Sequence, residues 1–203
     1  MKLIIFDFDG VLVNTIELSY KIHTSKNPNL TWERFQEYSI GNFHEVYNKA
    51  VKSGSHIPPD DFNSSYKKGL DILTAEEIIH DSILSLAVNY KLVIVSSTNS
   101  SHINNFLVKE NLARYFSDVW GADIHKSKTF KIKAILKKYN LYASNSIFIT
   151  DTLGDIKEAR ECGVKSIAVT WGLHNKLTLE KGDPVKIIEN PEDLVGAIEE
   201  ILC

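Results

Sequence analysis

The sequence is poor in cysteine and has no long apolar run. Its two cysteines, Cys162 and Cys203, are too few for a disulfide framework and favour a reducing compartment, which we take to be the cytoplasm. No apolar stretch approaches the roughly 20 residues of a membrane span, and the run LIIF near the start is too short for a signal-peptide core. We therefore expect a cytoplasmic protein without a membrane partner.

A strong charge of either sign is also missing. The formal net charge is −3, the isoelectric point is near 6.2, and no Lys/Arg cluster alternates with aromatic residues, so we expect no nucleic-acid partner. The content of 43% hydrophobic and 24% charged residues is typical of a globular protein. A length of 203 residues fits one core domain with a smaller insertion. The sequence does not indicate an oligomeric state.

Short apolar runs alternate with helical patterns along most of the chain. The runs are KLIIFDF (2–8), KLVIVS (91–96), SDVWGA (117–122), SIFIT (146–150), VKSIAVT (164–170) and VKIIE (185–189). The helical patterns between and after them cover approximately 99–110, 129–139, 153–162 and 191–202. This alternation predicts an α/β fold with a Rossmann-like parallel sheet and helices on both of its faces.

Residues 14–80 interrupt the alternation. They contain the aromatic-rich helical segments IELSYKIHT, WERFQEYS and FHEVYNKAV, and no clear buried strand. We therefore predict an all-helical cap at 14–80, inserted into a core formed by 1–13 and 81–203. The start of the insertion, Asn14 to Glu17, resembles a helix N-cap with a reciprocal glutamate three residues later.

Two carboxylates follow the first apolar run, in IIFDFDGVL. Asp7 and Asp9 lie two residues apart, so on an extended chain both point to the same side. They would lie at the carboxyl edge of the sheet, where α/β proteins bind ligands. Ionised carboxylates beside an apolar strand require a positively charged partner.

Three further stretches bring polar groups to the same predicted edge. The run KLVIVSS ends in Ser96 and Ser97, and hydroxyls and amides at such a position can bind an anion. Lys128 stands near the start of a helical pattern. SIFITDTLGD places Asp151 after another strand and Asp155 four residues later. Clustered oxygens suit Mg²⁺, and Mg²⁺ with a lysine and amides suits a phosphoryl group.

The four motifs together resemble those of the haloacid dehalogenase-like hydrolase superfamily. Their order is DFDGVL, a strand ending in SS, a helix-start lysine and DTLGD. Within the superfamily the chain is most similar to the phosphoglycolate phosphatase-like branch, whose helical cap follows the first motif. Two positions differ: Asn14 stands where many relatives have Asp, and Thr129 follows Lys128 where many have Pro. Lys126 is therefore an alternative to Lys128.

This resemblance implies a phosphatase that hydrolyses a small phosphorylated metabolite with Mg²⁺. It implies that Asp7 is the nucleophile and forms an aspartyl-phosphate, and that Asp9 is the general acid and base. The implied metal ligands are Asp7, Asp9 through its backbone carbonyl, Asp151, and Asp155 as a second ligand or a support. The implied phosphate-binding residues are Ser96, Ser97 and Lys128.

The substrate and two alternative functions stay open. Phosphomutase relatives share these motifs and usually add a basic cap residue, for which His44 is the candidate. A phosphate-binding regulatory module without catalysis is the other alternative, although no motif acid is missing. A haloacid dehalogenase lacks the second aspartate, so Asp9 argues against one. A small closing cap admits only small ligands, and we expect Asn42 and His44 to contact phosphoglycolate or a sugar phosphate.

Overall fold

A computed structural model describes residues 1–202, and the second cysteine, Cys203, lies outside them. Within the described residues, six strands form one sheet in the spatial order β3-β2-β1-β4-β5-β6, and every neighbouring pair is parallel. The strands are β1 (Leu3–Phe6), β2 (Lys91–Val95), β3 (Phe116–Trp120), β4 (Ser146–Thr150), β5 (Lys165–Val169) and β6 (Lys186–Ile188). The predicted α/β fold is confirmed, and each strand coincides with one of the apolar runs.

Ten α-helices lie between and after these strands within residues 1–202. They are α1 (Ile16–Thr24), α2 (Trp32–Glu37), α3 (Phe43–Lys52), α4 (Phe62–Ile72), α5 (Glu77–Asn89), α6 (Ser100–Lys109), α7 (Lys128–Lys138), α8 (Leu153–Glu161), α9 (Lys176–Glu180) and α10 (Leu194–Leu202). The helical patterns given above do not include α4, α5 or α9. Helix α5 crosses the predicted boundary after residue 80, and the division into core and cap stays a prediction. No helix in the described residues is both long and apolar enough to span a membrane.

Alternate side chains of β1 enter two hydrophobic clusters on opposite faces of the sheet. Ile4 and Phe6 pack with residues of α5, α6 and α10, whereas Leu3 and Ile5 pack with residues of α7 and α8. Because both faces of the strand are covered, its sequence is a continuous apolar run and does not alternate with polar residues.

The register of the sheet brings three chemically active strand ends together. Phe6 at the end of β1 pairs with Ile94 of β2 on one side and with Ile149 of β4 on the other. The residues that follow these strands are therefore neighbours at one edge. Helices α1 to α4 come from the segment between β1 and α5, and this segment packs against the same edge through an aromatic cluster that includes Leu173 from the loop after β5.

The interior of the helical segment contains two buried histidines. His23 Nδ1 lies 3.2 Å from His56 Nε2, and His56 Nδ1 lies 2.9 Å from the Tyr38 hydroxyl. Burial, and then the neighbouring His56, lower the pKa of His23 to about 4, and burial lowers the pKa of His56. Both rings are therefore neutral at pH 7 in the folded protein.

We expect the stability of the protein to fall in mild acid because of this pair. The folded pKa of His23 lies below its unfolded value of about 6.5, so its contribution is complete above pH 6.5 and is lost as the pH falls towards 4. Between pH 8 and pH 5 the loss is about 2 kcal/mol. Urea unfolding should show a correspondingly smaller pH dependence for His23→Gln. His80→Gln, at a partly exposed histidine, should retain the wild-type slope, and equal slopes for both variants would contradict the assignment.

Candidate active site

The carboxyl ends of β1 and β4 deliver buried acids to one cavity of about 120 Å³. Asp7 directly follows β1, and its backbone N–H donates to Ile149 O at 2.9 Å, which continues the sheet by one residue. Asp151 directly follows β4 and is fully buried. Asp7, Asp9, Ser97, Lys128, Asp151 and Asp155 all line this cavity, so the structure brings together six of the seven predicted catalytic, metal and phosphate residues.

Lys128 is the cation at the centre of the site. It is the first residue of α7, and its side chain is 4% exposed. Its Nζ lies 2.8 Å from Asp7 Oδ2 and 2.7 Å from Asp155 Oδ2. These two carboxylates raise its pKa against the opposing effect of burial, so the ammonium stays charged. The alternative, Lys126, is exposed.

A buried carboxylate that the sequence analysis missed positions Lys128. Glu158 Oε1 accepts from the backbone N–H of Lys128 at 2.8 Å and of Thr129 at 3.2 Å. It also accepts from Asn42 Nδ2 at 3.0 Å. A carboxylate at a helix N-terminus satisfies free N–H groups and interacts favourably with the helix dipole. Glu158 therefore fixes the start of α7 and joins it to the helical segment.

The site has more buried acidic groups than basic ones. Burial raises the pKa of Asp7 well above its usual range; Lys128 opposes this increase, and Asp155 and Asp151 reinforce it. Burial also raises the pKa of Asp151, to about 7. Asp155 differs, because Lys128 and hydrogen bonds outweigh burial and hold its pKa below the usual value. Three buried acids thus share one lysine.

Asp151 provides an oxygen that a metal ion could use. Its Oδ2 accepts from Leu173 N at 2.7 Å, whereas its buried Oδ1 has no hydrogen-bond partner. Glycines make room for this carboxylate, since a Cβ on Gly10 or on Gly172 would lie 2.2 Å from Asp151 Oδ2. An unpartnered buried oxygen and excess negative charge fit a divalent cation.

Side chains alone do not complete a metal site. Among residues 1–202, no group of three or more His, Cys, Asp or Glu side chains is arranged to hold a metal ion. The Asp155 Oδ2 atom already accepts from Lys128 Nζ and, at 2.8 Å, from Thr150 Oγ1. A cation would therefore use Asp7 and Asp151 together with backbone or substrate oxygens, and Asp155 would support Lys128.

Four hydroxyl groups surround the Asp9 carboxylate. Thr15 Oγ1 donates to Oδ1 at 2.6 Å and the Tyr66 hydroxyl donates to the same oxygen; Thr98 Oγ1 and Ser96 Oγ donate to Oδ2 at 2.8 and 3.3 Å. Burial and the neighbouring carboxylate hold the pKa of Tyr66 well above its usual value, so the phenol stays a hydrogen-bond donor.

Thr15 is the residue before α1, and its hydroxyl bonds Asp9 and does not cap the helix. The N-cap prediction at Asn14 was therefore one residue early.

The two serines after β2 have different surroundings. Ser96 is fully buried, and its hydroxyl accepts from Thr98 N at 3.0 Å, whereas Ser97 and Thr98 line the cavity. Ser96 as a phosphate ligand stays a prediction. Lys131 is fully buried and donates from Nζ to the carbonyls of Ser96 at 2.5 Å and Gly121 at 3.3 Å. Lys131 therefore stabilises the loop that follows β2.

The proposed substrate-selecting residues do not line the cavity. Asn42 uses Oδ1 to accept from Glu45 N, at the start of α3, and uses Nδ2 to bond Glu158. His44 lies beside Phe43 with a buried, unpartnered Nε2, and burial lowers its pKa to about 4. Phe43, between them, lines the cavity. A role of Asn42 and His44 in selecting the substrate stays a prediction. Their absence from the lining of the cavity does not support it.

Comparisons with known proteins find relatives that span nearly the whole chain. A family model described as haloacid dehalogenase-like hydrolase matches residues 4–169. A phosphoglycolate phosphatase of Synechococcus elongatus is 23% identical over 210 residues, which cover 100% of this chain and 99% of that protein. A haloacid dehalogenase-like hydrolase from Streptococcus pneumoniae superimposes with a TM-score of 0.80 at 21% identity over 98% of both chains. A putative β-phosphoglucomutase from Thermotoga maritima has a TM-score of 0.71 at 17% identity over 100% of both chains.

Proposed function

The chain belongs to the haloacid dehalogenase-like hydrolase family and is a phosphoric monoester hydrolase, and we propose that it releases phosphate through an aspartyl-phosphate on Asp7. The observation that carries this proposal is the contact of one buried lysine with two buried carboxylates. Lys128 Nζ lies within hydrogen-bond distance of both Asp7 and Asp155 at the base of the cavity. A fixed cation beside an acid is the arrangement that brings a phosphoryl group to a carboxylate nucleophile.

The proposed nucleophile is held in one orientation before the substrate binds. Asp7 Oδ1 accepts from Phe8 N at 2.7 Å, and Oδ2 contacts Lys128. We infer that the ammonium of Lys128 and the backbone N–H of Ser97 hold the phosphoryl oxygens while Asp7 forms the bond to phosphorus. Water later cleaves this bond and regenerates the carboxylate. Mg²⁺, held by Asp7, Asp151 and the Asp9 carbonyl, would supply positive charge for the phosphoryl oxygens.

Asp9 is the proposed general acid and base. It lines the same cavity as Asp7 but makes no contact with Lys128, and hydroxyls from three parts of the chain orient its carboxylate. In the first step it would protonate the leaving alkoxide, and in the second it would take a proton from the attacking water. Tyr66, which belongs to α4, ties this acid to the helical segment that covers the site.

We expect Asp9→Asn to slow turnover of alkyl phosphates by about 10²–10⁴-fold, the usual contribution of a general acid. The loss should be smaller for 4-nitrophenyl phosphate, because nitrophenolate leaves without a proton. Steady-state phosphate release measures both. An equal loss on alkyl and aryl phosphates would contradict the acid role, and Asp60→Asn, at an exposed aspartate, should leave both rates unchanged.

The proposed function is tested by phosphate release from small phosphomonoesters beside phosphopeptides. We expect only the small compounds to react, because the helical segment covers the cavity and leaves room for a small ligand. A preference for phosphopeptides would contradict this proposal.

A regulatory module would bind phosphate without turnover. No observation favours a phosphomutase, since Lys128 is the single cationic side chain on the described cavity wall and a mutase must hold two phosphoryl groups.

A further inference from the structure

We propose that the alcohol released by this enzyme is small, uncharged and mainly apolar. The inference rests on the proposed phosphatase function and names the substrate class of the same site. It differs from the expectation of phosphoglycolate or a sugar phosphate, because the structure shows which side chains face the leaving group.

The outer part of the cavity has an apolar wall. Helices α1 to α4 and the loop after β5 supply its aromatic and aliphatic side chains, which are Ile16, Phe35, Phe43, Phe62, Tyr66 and Leu173. Among the hydroxyl side chains of the lining, Thr15 and Thr98 already bond Asp9 and Thr152 caps α8. The serines Ser19, Ser39 and Ser97 remain. Such a wall binds hydrocarbon groups, because contact with it removes them from water. It offers few hydrogen-bond partners to a polyol. Sugar hydroxyls would lose water without gaining equivalent hydrogen bonds.

The cavity has no cation for a charged leaving group. Among the described residues that line it, the single cationic side chain is Lys128, whose ammonium already contacts Asp7 and Asp155. A carboxylate or second phosphate on the leaving group would therefore be buried near several acids without a partner, which is strongly unfavourable. His44 does not compensate, because it is not on the wall and burial keeps its ring neutral at pH 7.

The volume limits the size of the alcohol. At about 120 Å³ the cavity is smaller than the roughly 300–1,000 Å³ of pockets that bind drug-sized ligands. The phosphorus and its terminal oxygens use part of this space. The remainder fits a short alkyl or a single-ring alcohol and excludes a nucleoside.

The test compares substrates of equal size and different charge. n-Butyl phosphate and 2-phosphoglycolate have the same number of non-hydrogen atoms. Both release an alkoxide, so n-butyl phosphate does not have the advantage of a better leaving group. We expect kcat/KM for n-butyl phosphate to exceed that for 2-phosphoglycolate by about 10-fold or more. Glycerol phosphate, which replaces carbon by hydroxyls, should resemble 2-phosphoglycolate. A preference for either of these two over n-butyl phosphate would overturn the inference.

A positive charge introduced into the wall should shift the preference towards 2-phosphoglycolate. Phe43→Arg puts a guanidinium on the wall at a partly exposed position, so we expect the ratio of the two kcat/KM values to change by about 10-fold or more in favour of 2-phosphoglycolate. Phe130→Arg is the matched control, because Phe130 is 51% exposed and does not line the cavity. An unchanged ratio in a folded Phe43→Arg enzyme would also overturn the inference.

Binding separates this inference from the proposed function. Calorimetry with the Asp7→Asn protein measures the affinities for both compounds without turnover. Tighter binding of n-butyl phosphate supports the inference even if the wild type hydrolyses nothing, in which case only the phosphatase proposal is wrong. Tighter binding of 2-phosphoglycolate overturns the inference and leaves the phosphatase proposal intact.

Discussion

Replacing Asp7 by asparagine is expected to abolish the phosphoenzyme and to lower kcat by about 10⁴-fold or more, because an amide does not attack phosphorus. The measurement combines phosphate release with mass spectrometry of acid-quenched protein, in which the wild type should carry one phosphoryl group during turnover. We expect the variant to fold, since the substitution removes one negative charge from a cluster of three buried acids. Lys128 keeps its contact with Asp155.

The control for this experiment is Asp81→Asn on α5. Its side chain is 68% exposed and does not line the cavity, so both the rate and the phosphoenzyme should match those of the wild type. A phosphoryl group found on the Asp7→Asn protein would place the nucleophile elsewhere. The retained activity of such a protein would also contradict the proposed role of Lys128 in directing phosphate to Asp7.

The centre of the site could be predicted because it follows from strand ends. In a parallel sheet, the residues after β1, β2 and β4 meet at one edge whatever the loops do. Asp7 and Asp151 therefore could be placed together from two apolar runs, before any contact was known. The choice of Lys128 over Lys126 needed the structure, because a helix start cannot be placed to the residue by pattern alone.

The surroundings of Asp9 could not be predicted in the same way. Tyr66 lies 57 residues after Asp9, and their contact depends on how the helical segment folds back over the sheet. Helix α4 was not identified from the sequence, although Phe62, Tyr66 and Leu70 recur at the four-residue spacing of a helix face. Glu158 is different, because it lies three residues after Asp155 in a helix and thus on a similar face. That spacing was an available signal for its contact with the start of α7.

The side chains that form this part of the cavity wall depend on the residue at which α3 begins. Successive residues of a helix differ by about 100° in direction. With α3 starting at Phe43, this ring lines the cavity, while Asn42 caps the helix and His44 lies outside the wall. The residue that lines the cavity is thus the apolar one between the two polar residues that the sequence analysis proposed, and their role stays a prediction.

Removal of divalent metal is also expected to cause a large loss of turnover. Asp7, Asp151 and Asp155 are buried around one lysine, and Asp151 Oδ1 has no hydrogen-bond partner. We expect turnover to fall by about 10³-fold or more in excess chelator, since both the nucleophile and the phosphoryl oxygens lose positive charge. Mg²⁺ should restore activity and Ca²⁺ should not, because Ca²⁺ prefers a larger and looser coordination sphere. Full activity in chelator would contradict a metal role.

Asp151→Asn tests the same site without an activity measurement. In the metal-free protein this substitution removes a buried carboxylate whose pKa is raised to about 7, so the variant should be more stable than the metal-free wild type by about 1–3 kcal/mol at pH 8. Mg²⁺ should raise the Tm of the wild type by linkage and leave that of the variant nearly unchanged. The exposed Asp81→Asn should behave as wild type in both respects. An equal Mg²⁺-dependent rise in the Tm of Asp151→Asn would show that Asp151 does not bind the metal. Lys128 would then be the group that balances the buried charge of Asp151.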